Sequence, residues 1–139
     1  SALPGFLLAK ISSRPFRSCE QVTITGLSAI TLATHNMSGA VRFYRALGFE
    51  VIYGAEDAPF TSLRAGAGYL NLISQPKDKK WTWWGRVIFY VNDVDVIFEK
   101  VIAQGIKTDT TPRDAEWGER YFHVTDPDGH EISFAKPLK

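Results

Sequence analysis

The stretch "SGAVRFYRALGF" (residues 38–49) decides how the rest of the chain is read. Ala40, Val41, Tyr44 and Leu47 recur at the spacing of one helix face, and Gly48 supplies a stop. Asn36 and Ser38 offer helix starts just upstream. Before them, "ITGLSAITLAT" (24–34) is β-branched and apolar, the composition of a strand. After the helix come three short strand candidates, "FEVIY" (49–53), "FTSLRA" (60–65) and "YLNLIS" (69–74), parted by Gly, Ala, Asp and Pro. The order is βαβββ.

The same order recurs further along. "GRVIFYV" (85–91) reads as a strand, and Asn92 or Asp93 can cap a helix whose apolar face is Ile97, Phe98 and Val101, ending at Gly105. Strands are then expected in "IKTDTT" (106–111), "RYFHVT" (120–125) and "EISFA" (131–135). Gly48 and Gly105 are 57 positions apart, as are Ala29 and Arg86. A pattern repeated at constant offset predicts an internal duplication. The expected fold is α+β: two βαβββ modules forming a curved mixed sheet around a concave cleft, with helices on the outer faces. Module one is expected over 23–75, a linker over 76–84 and module two over 85–136, as one domain (23–136) behind an N-terminal arm (1–22). The concave surface is the natural place for a small molecule.

Composition narrows the function. The 139 residues carry a net charge of +1, which argues against a nucleic-acid footprint or an anionic membrane partner. No apolar run approaches the roughly 20 residues that cross a bilayer. The single cysteine, Cys19, cannot form an internal disulfide and fits a reducing, cytoplasmic compartment. The first 20 residues hold Lys10, Arg14, Arg17 and several serines with no acid before Glu20, a composition also found in organelle transit peptides.

The segment "DPDGHEISF" (126–134) reads as a tight turn delivering a strand. Pro127 sits where φ near −65° is wanted and Gly129 where a positive φ is expected. Beyond the turn, Glu131, Ser133 and Ala135 share one face and Ile132 and Phe134 the other.

These residues resemble a known family. The repeated βαβββ pattern, the helix end "FYRALGFEV" and the tail "AEWGERYFHVTDPDGHEISF" (115–134) are similar to the vicinal oxygen chelate superfamily. That superfamily includes glyoxalase I, extradiol dioxygenases, fosfomycin-modifying enzymes and bleomycin-binding resistance proteins. The resemblance covers roughly residues 23 to 136, and the tail looks most like the bleomycin-resistance branch.

In the enzymes of this superfamily a divalent metal is held by His or Glu from the first and last strands of each module. The resemblance places those positions at Ala29, Asn71, Arg86 and Ser133. None is a competent ligand here: a methyl group cannot coordinate, a guanidinium is a fixed cation, and an amide and a hydroxyl are weak donors. His123 and Glu131 could supply two ligands, too few for such a site. Glu131 lies about 7 Å along the strand from Ser133 at about 3.3 Å per residue. No metal and no cofactor are therefore expected. His130 is expected at the surface, and His35 in a capping or solvent-exposed role.

The cavity residues point to ligand binding instead. Asn71, Arg86 and Ser133 bring Tyr90, Tyr121 and His123 onto the same face by period-two alternation. Arg86 pairs with Glu131 or with a ligand anion. Trp83, Trp84 and Trp117 can form flat groove walls, although tryptophans more often pack cores and dimer seams. The resemblance implies a homodimer, with the groove between subunits. The leading expectation is a protein that binds a small organic molecule without chemistry. Two alternatives stand beside it. One is a glyoxalase-type lyase, isomerase or transferase, using other metal ligands or metal-free acid–base groups among His123, Glu131 and Tyr121. The other is a structural or regulatory dimer with a filled cavity.

Overall fold

The fold is that of a computed structural model, which describes residues 22–139. Apart from Val22, the arm expected over 1–22, its targeting composition and Cys19 lie outside the described residues.

The first module comprises β1 (Ala29–Thr34), α1 (Met37–Ala46), β2 (Glu50–Tyr53), β3 (Phe60–Ala65) and β4 (Gly68–Ser74). The second comprises β5 (Arg86–Tyr90), α2 (Val94–Ala103), β6 (Arg113–Asp114), β7 (Glu119–Thr125) and β8 (Glu131–Pro137). Each module folds into its own four-stranded sheet, ordered β1-β4-β3-β2 and β5-β8-β7-β6. The β1–β4 and β5–β8 pairs are parallel and the remaining pairs antiparallel, so both sheets are mixed. The duplication keeps its offset of 57, with first strands beginning at 29 and 86 and helices at 37 and 94.

Local chemistry sets these boundaries. Asn36 caps α1 by accepting from the Gly39 N–H at 3.1 Å, and Asp93 caps α2 by accepting from the Val96 N–H at 3.1 Å. Both helices end on a glycine in the left-handed region, Gly48 at φ 105° and Gly105 at φ 81°, a conformation other residues adopt only with strain.

Strand alternation then divides the two faces. Leu32, Leu63, Leu70 and Leu72 bury beneath α1, and Phe122, Val124, Ile132 and Phe134 beneath α2. The two cores merge at Phe49, whose ring meets Phe89 edge-on at 5.0 Å and lies 6.4 Å from Phe134.

A polar clasp joins the modules at the other end. His130 Nε2 donates to the Ala33 carbonyl at 2.8 Å, while its Nδ1 accepts from the Trp84 indole N–H at 2.7 Å. Trp81 donates to the Asp128 carbonyl at 3.0 Å, and the His35 N–H donates to Asp128 Oδ1 at 3.0 Å. The His35 ring lies 4.4 Å from that of Trp81, and its Nε2 pairs with the Lys79 carbonyl. His130 is thus not at the surface: only 3% of it is exposed. Its two ring nitrogens find partners on the linker and β1, which makes the buried site cheaper for it than solvent. His35 is neither the cap, which is Asn36, nor free in solvent.

The strand expected over 106–111 is not formed. Thr108 makes an isolated bridge to Val124, and pairing resumes only at β6. Here the Thr110 hydroxyl accepts the His123 N–H at 3.0 Å in place of a backbone carbonyl, and Pro112 has no N–H to offer a ladder. The 126–129 turn forms as expected. Gly129 donates to the Asp126 carbonyl at 3.0 Å with φ 89°, and Asp126 Oδ1 accepts the N–H groups of Asp128 and His130.

Candidate functional site

The helix-free face of the second sheet gathers most of the expected site residues. Cross-strand register sets Arg86 beside Glu131, Ile88 and His123 on either side of Ser133, and Arg113 beside Tyr121. Arg86 Nη2 meets Glu131 Oε1 at 2.9 Å, so its partner is a protein carboxylate. The Trp83 indole also donates to that oxygen at 2.9 Å. This indole bond, with the Arg86 guanidinium behind it, holds the Glu131 carboxyl below its ordinary range.

His123 Nδ1 lies 2.5 Å from Ser133 Oγ, and Ser133 is buried. Burial, reinforced by the positive charge of Arg86, pushes the imidazole below its usual value and favours its neutral form. Its ring lies 5.0 Å from Tyr121, which is stacked on Trp117 at 5.6 Å and 29°. Trp117 donates to Glu119 Oε1 at 3.0 Å, and the Tyr90 hydroxyl donates to Glu119 Oε2. That bond raises the Tyr90 phenol above its ordinary value.

Two expected residues stand elsewhere. Asn71 is on the first sheet, where its Oδ1 accepts from Ser62 Oγ at 2.7 Å and its Nδ2 donates to Thr31 Oγ1 at 3.3 Å. Trp84 spends its N–H on His130 in the clasp. Glu119 and Arg113 escaped the sequence reading although both join this face. The signal for Glu119 was available, since it alternates with Tyr121 and His123. Arg113 carried none, because the strand that places it is two residues long and was expected elsewhere.

The four positions projected for a metal are related by the duplication. Ala29 and Arg86 stand opposite Tyr69 and Glu131, and Thr31 and Ile88 stand opposite Asn71 and Ser133. A methyl group, an amide bonded on both ends, a paired guanidinium and a hydroxyl on an imidazole do not fit a divalent metal. Among the described residues no three His, Cys, Asp or Glu side chains cluster as ligands.

The comparisons agree with this geometry at the level of family. The profile described as Glyoxalase/Bleomycin resistance protein/Dioxygenase superfamily matches residues 26–134. The chain belongs to that superfamily. A glyoxalase/bleomycin resistance protein/dioxygenase from Nocardioides superposes with a TM-score of 0.69 at 19% identity, covering 90% of this chain and 91% of that one. Lactoylglutathione lyase from Agrobacterium tumefaciens gives 0.66 at 17% identity, covering 82% and 95%. TioX from Micromonospora sp. ML1 gives 0.66 at 23% identity, covering 81% and 99%. At such identities the likeness is one of fold. An uncharacterized protein of Mycobacterium tuberculosis is 39% identical over 49 residues, which is 35% of this chain. The match spans only 29% of that relative and 32% of its counterpart in Mycobacterium bovis. No described helix is long and apolar enough to cross a membrane.

Proposed function

We propose that this protein binds a small organic molecule on the helix-free face of its second module and has lost the superfamily's metal site. The observation that carries this reading is the aromatic column Trp117–Tyr121–His123 beside the half-exposed Arg86–Glu131 pair. Trp117 is 69% exposed and Tyr90 65%, so a flat apolar surface faces outward with hydrogen-bonding groups at both ends. Such a mixture suits recognition of a planar organic molecule. The donor set at Ala29, Asn71, Arg86 and Ser133 supports the loss of metal.

The same exposed face, with Ile88 and, on the first sheet, Tyr69 and Ile73, supports a homodimer in which a second copy completes the groove. The single cysteine supports a reducing, cytoplasmic setting.

One observation favours a second reading, metal-free proton transfer of the lyase or isomerase kind. Burial favours the neutral form of His123, and its Nδ1 is tied to Ser133, which leaves Nε2 for a substrate proton. A thermal-shift screen of small organic molecules separates the two. The binding reading expects a stabilising molecule that is recovered unchanged and whose effect disappears in Trp117→Ala and Tyr121→Ala. Turnover that stops in His123→Gln would replace it with the second reading, and absence of any stabilising molecule would remove both.

A further inference from the structure

The seam between the two sheets opens into a cavity at one end. Ser28 and Thr34 direct their carbonyls to Tyr69 and Gln75 at 3.0 and 2.9 Å. Backbone groups alternate along a strand, so those of Ala29, Thr31 and Ala33 turn away from β4 and toward the seam. Ala33 meets the clasp through His130. On β5, the Val91 N–H goes to the Ala135 carbonyl at 2.9 Å, which leaves Ile88 and Tyr90 turned outward. No backbone hydrogen bond joins β1 to β5. The seam is therefore closed at the Ala33 end and open at the end lined by Ala29 and Tyr90.

That open end is a cavity of about 460 Å³. Its volume lies within the roughly 300–1,000 Å³ of small-molecule pockets. Leu47, Phe49, Val87, Phe89 and Phe134 give it apolar walls. Arg64 is the one charged residue among the described residues that line it. Its carboxylate partner, Glu50, is 3.9 Å away on an exposed strand, at the limit of an ion pair. A guanidinium so loosely held is free to take a carboxylate in a two-pronged hydrogen bond.

We propose that this seam cavity binds an apolar carboxylic acid, with its head on Arg64 and its tail against Phe49, Phe89 and Phe134. The N–H groups of Ala29 and Ile88, turned toward the seam, offer further donors at the strand edges. This site borders the second module's face through Ile88 and Tyr90 but does not use Trp117, Tyr121 or His123.

Calorimetric titration of the whole chain with octanoate, decanoate and 1-octanol tests the proposal. Decanoate should bind about fifteenfold more tightly than octanoate, since each of its two extra buried methylenes adds about fourfold. Octanol, lacking the charge, should bind at least tenfold more weakly than octanoate. Arg64→Gln should bring octanoate down to the level of octanol, and Ala65→Phe, which fills the cavity, should abolish both. Tyr121→Ala and Trp117→Ala should leave octanoate binding unchanged. The proposal is overturned if wild type does not bind octanoate, if octanol binds as well, or if Arg64→Gln has no effect. It is equally overturned if Tyr121→Ala, rather than Arg64→Gln, removes binding. That result places the acid on the second module's face and leaves the proposed function standing.

Discussion

The Tyr44 hydroxyl donates to Asp126 Oδ2 at 2.6 Å and ties the first module's helix to the turn of the second. Tyr44 is fully buried and Asp126 nearly so. Burial, and then the neighbouring carboxylate, push the phenol well above its ordinary value, so it remains a donor. Tyr44→Phe keeps the packing but leaves Oδ2 without its donor. A loss of roughly 1.5–3 kcal/mol is expected, as for a hydrogen bond to a charged group. Urea unfolding of the variant measures it, and a loss within experimental error would mean that solvent reaches Asp126.

Asp126 itself gives a pH dependence of unusual sign. Burial raises its carboxyl above the ordinary aspartate value, against the lowering effect of the Tyr44 and backbone hydrogen bonds. A carboxyl whose folded value exceeds its unfolded value binds protons more readily in the native state, so its contribution weakens as pH rises through that window. Asp126→Asn retains an acceptor for the Asp128 and His130 N–H groups while removing the charge. Relative to wild type, the variant should therefore fare better at pH 7 than at pH 4. Paired denaturation curves at the two pH values decide it, and the opposite order would show that the hydrogen bonds outweigh burial.

The clasp predicts different outcomes for two adjacent tryptophans. Trp84→Phe removes the donor to Nδ1 of the buried His130, and roughly 1–3 kcal/mol should be lost. Trp83 is 68% exposed, so Trp83→Phe should change stability by no more than about 0.5 kcal/mol. Equal losses in chemical denaturation would deny the clasp its role.

His123 should titrate below the ordinary imidazole value in an NMR series. Its folded value is depressed, so the stability it contributes is complete above the unfolded value and fades as pH falls from there toward the folded value. Arg86→Gln removes the second cause of the depression and leaves Glu131 without its ion pair. Both changes favour the imidazolium, and the His123 transition should move upward. No movement would mean that burial alone sets it.

Much of the fold could be read from the sequence because it rests on local signals. The helix spacing of Ala40, Val41, Tyr44 and Leu47, the stops at Gly48 and Gly105, and the offset of 57 are short-range or repetitive features. The 106–111 stretch misled because its backbone meets β7 only around Thr108 and Asp109, while the Thr110 hydroxyl takes the His123 N–H in place of a ladder carbonyl. The face carrying Arg86, Glu131, Tyr121, His123 and Ser133 followed from period-two alternation. His130 did not, since its burial depends on Ala33 and Trp84, residues 97 and 46 positions away. The bond of Trp84 to His130 was equally hidden, since nothing local marks an indole that closes a clasp.

The proposed loss of the metal site is tested most directly by elemental analysis of the purified chain, with thermal melts before and after chelator, Zn²⁺, Ni²⁺ and Mn²⁺. The expected result is no stoichiometric metal and a melting temperature that none of these additions moves. One tightly held divalent metal per chain, with stability lost to chelator, would contradict both the donor-set reasoning at Ala29, Asn71, Arg86 and Ser133 and the binding function built on it.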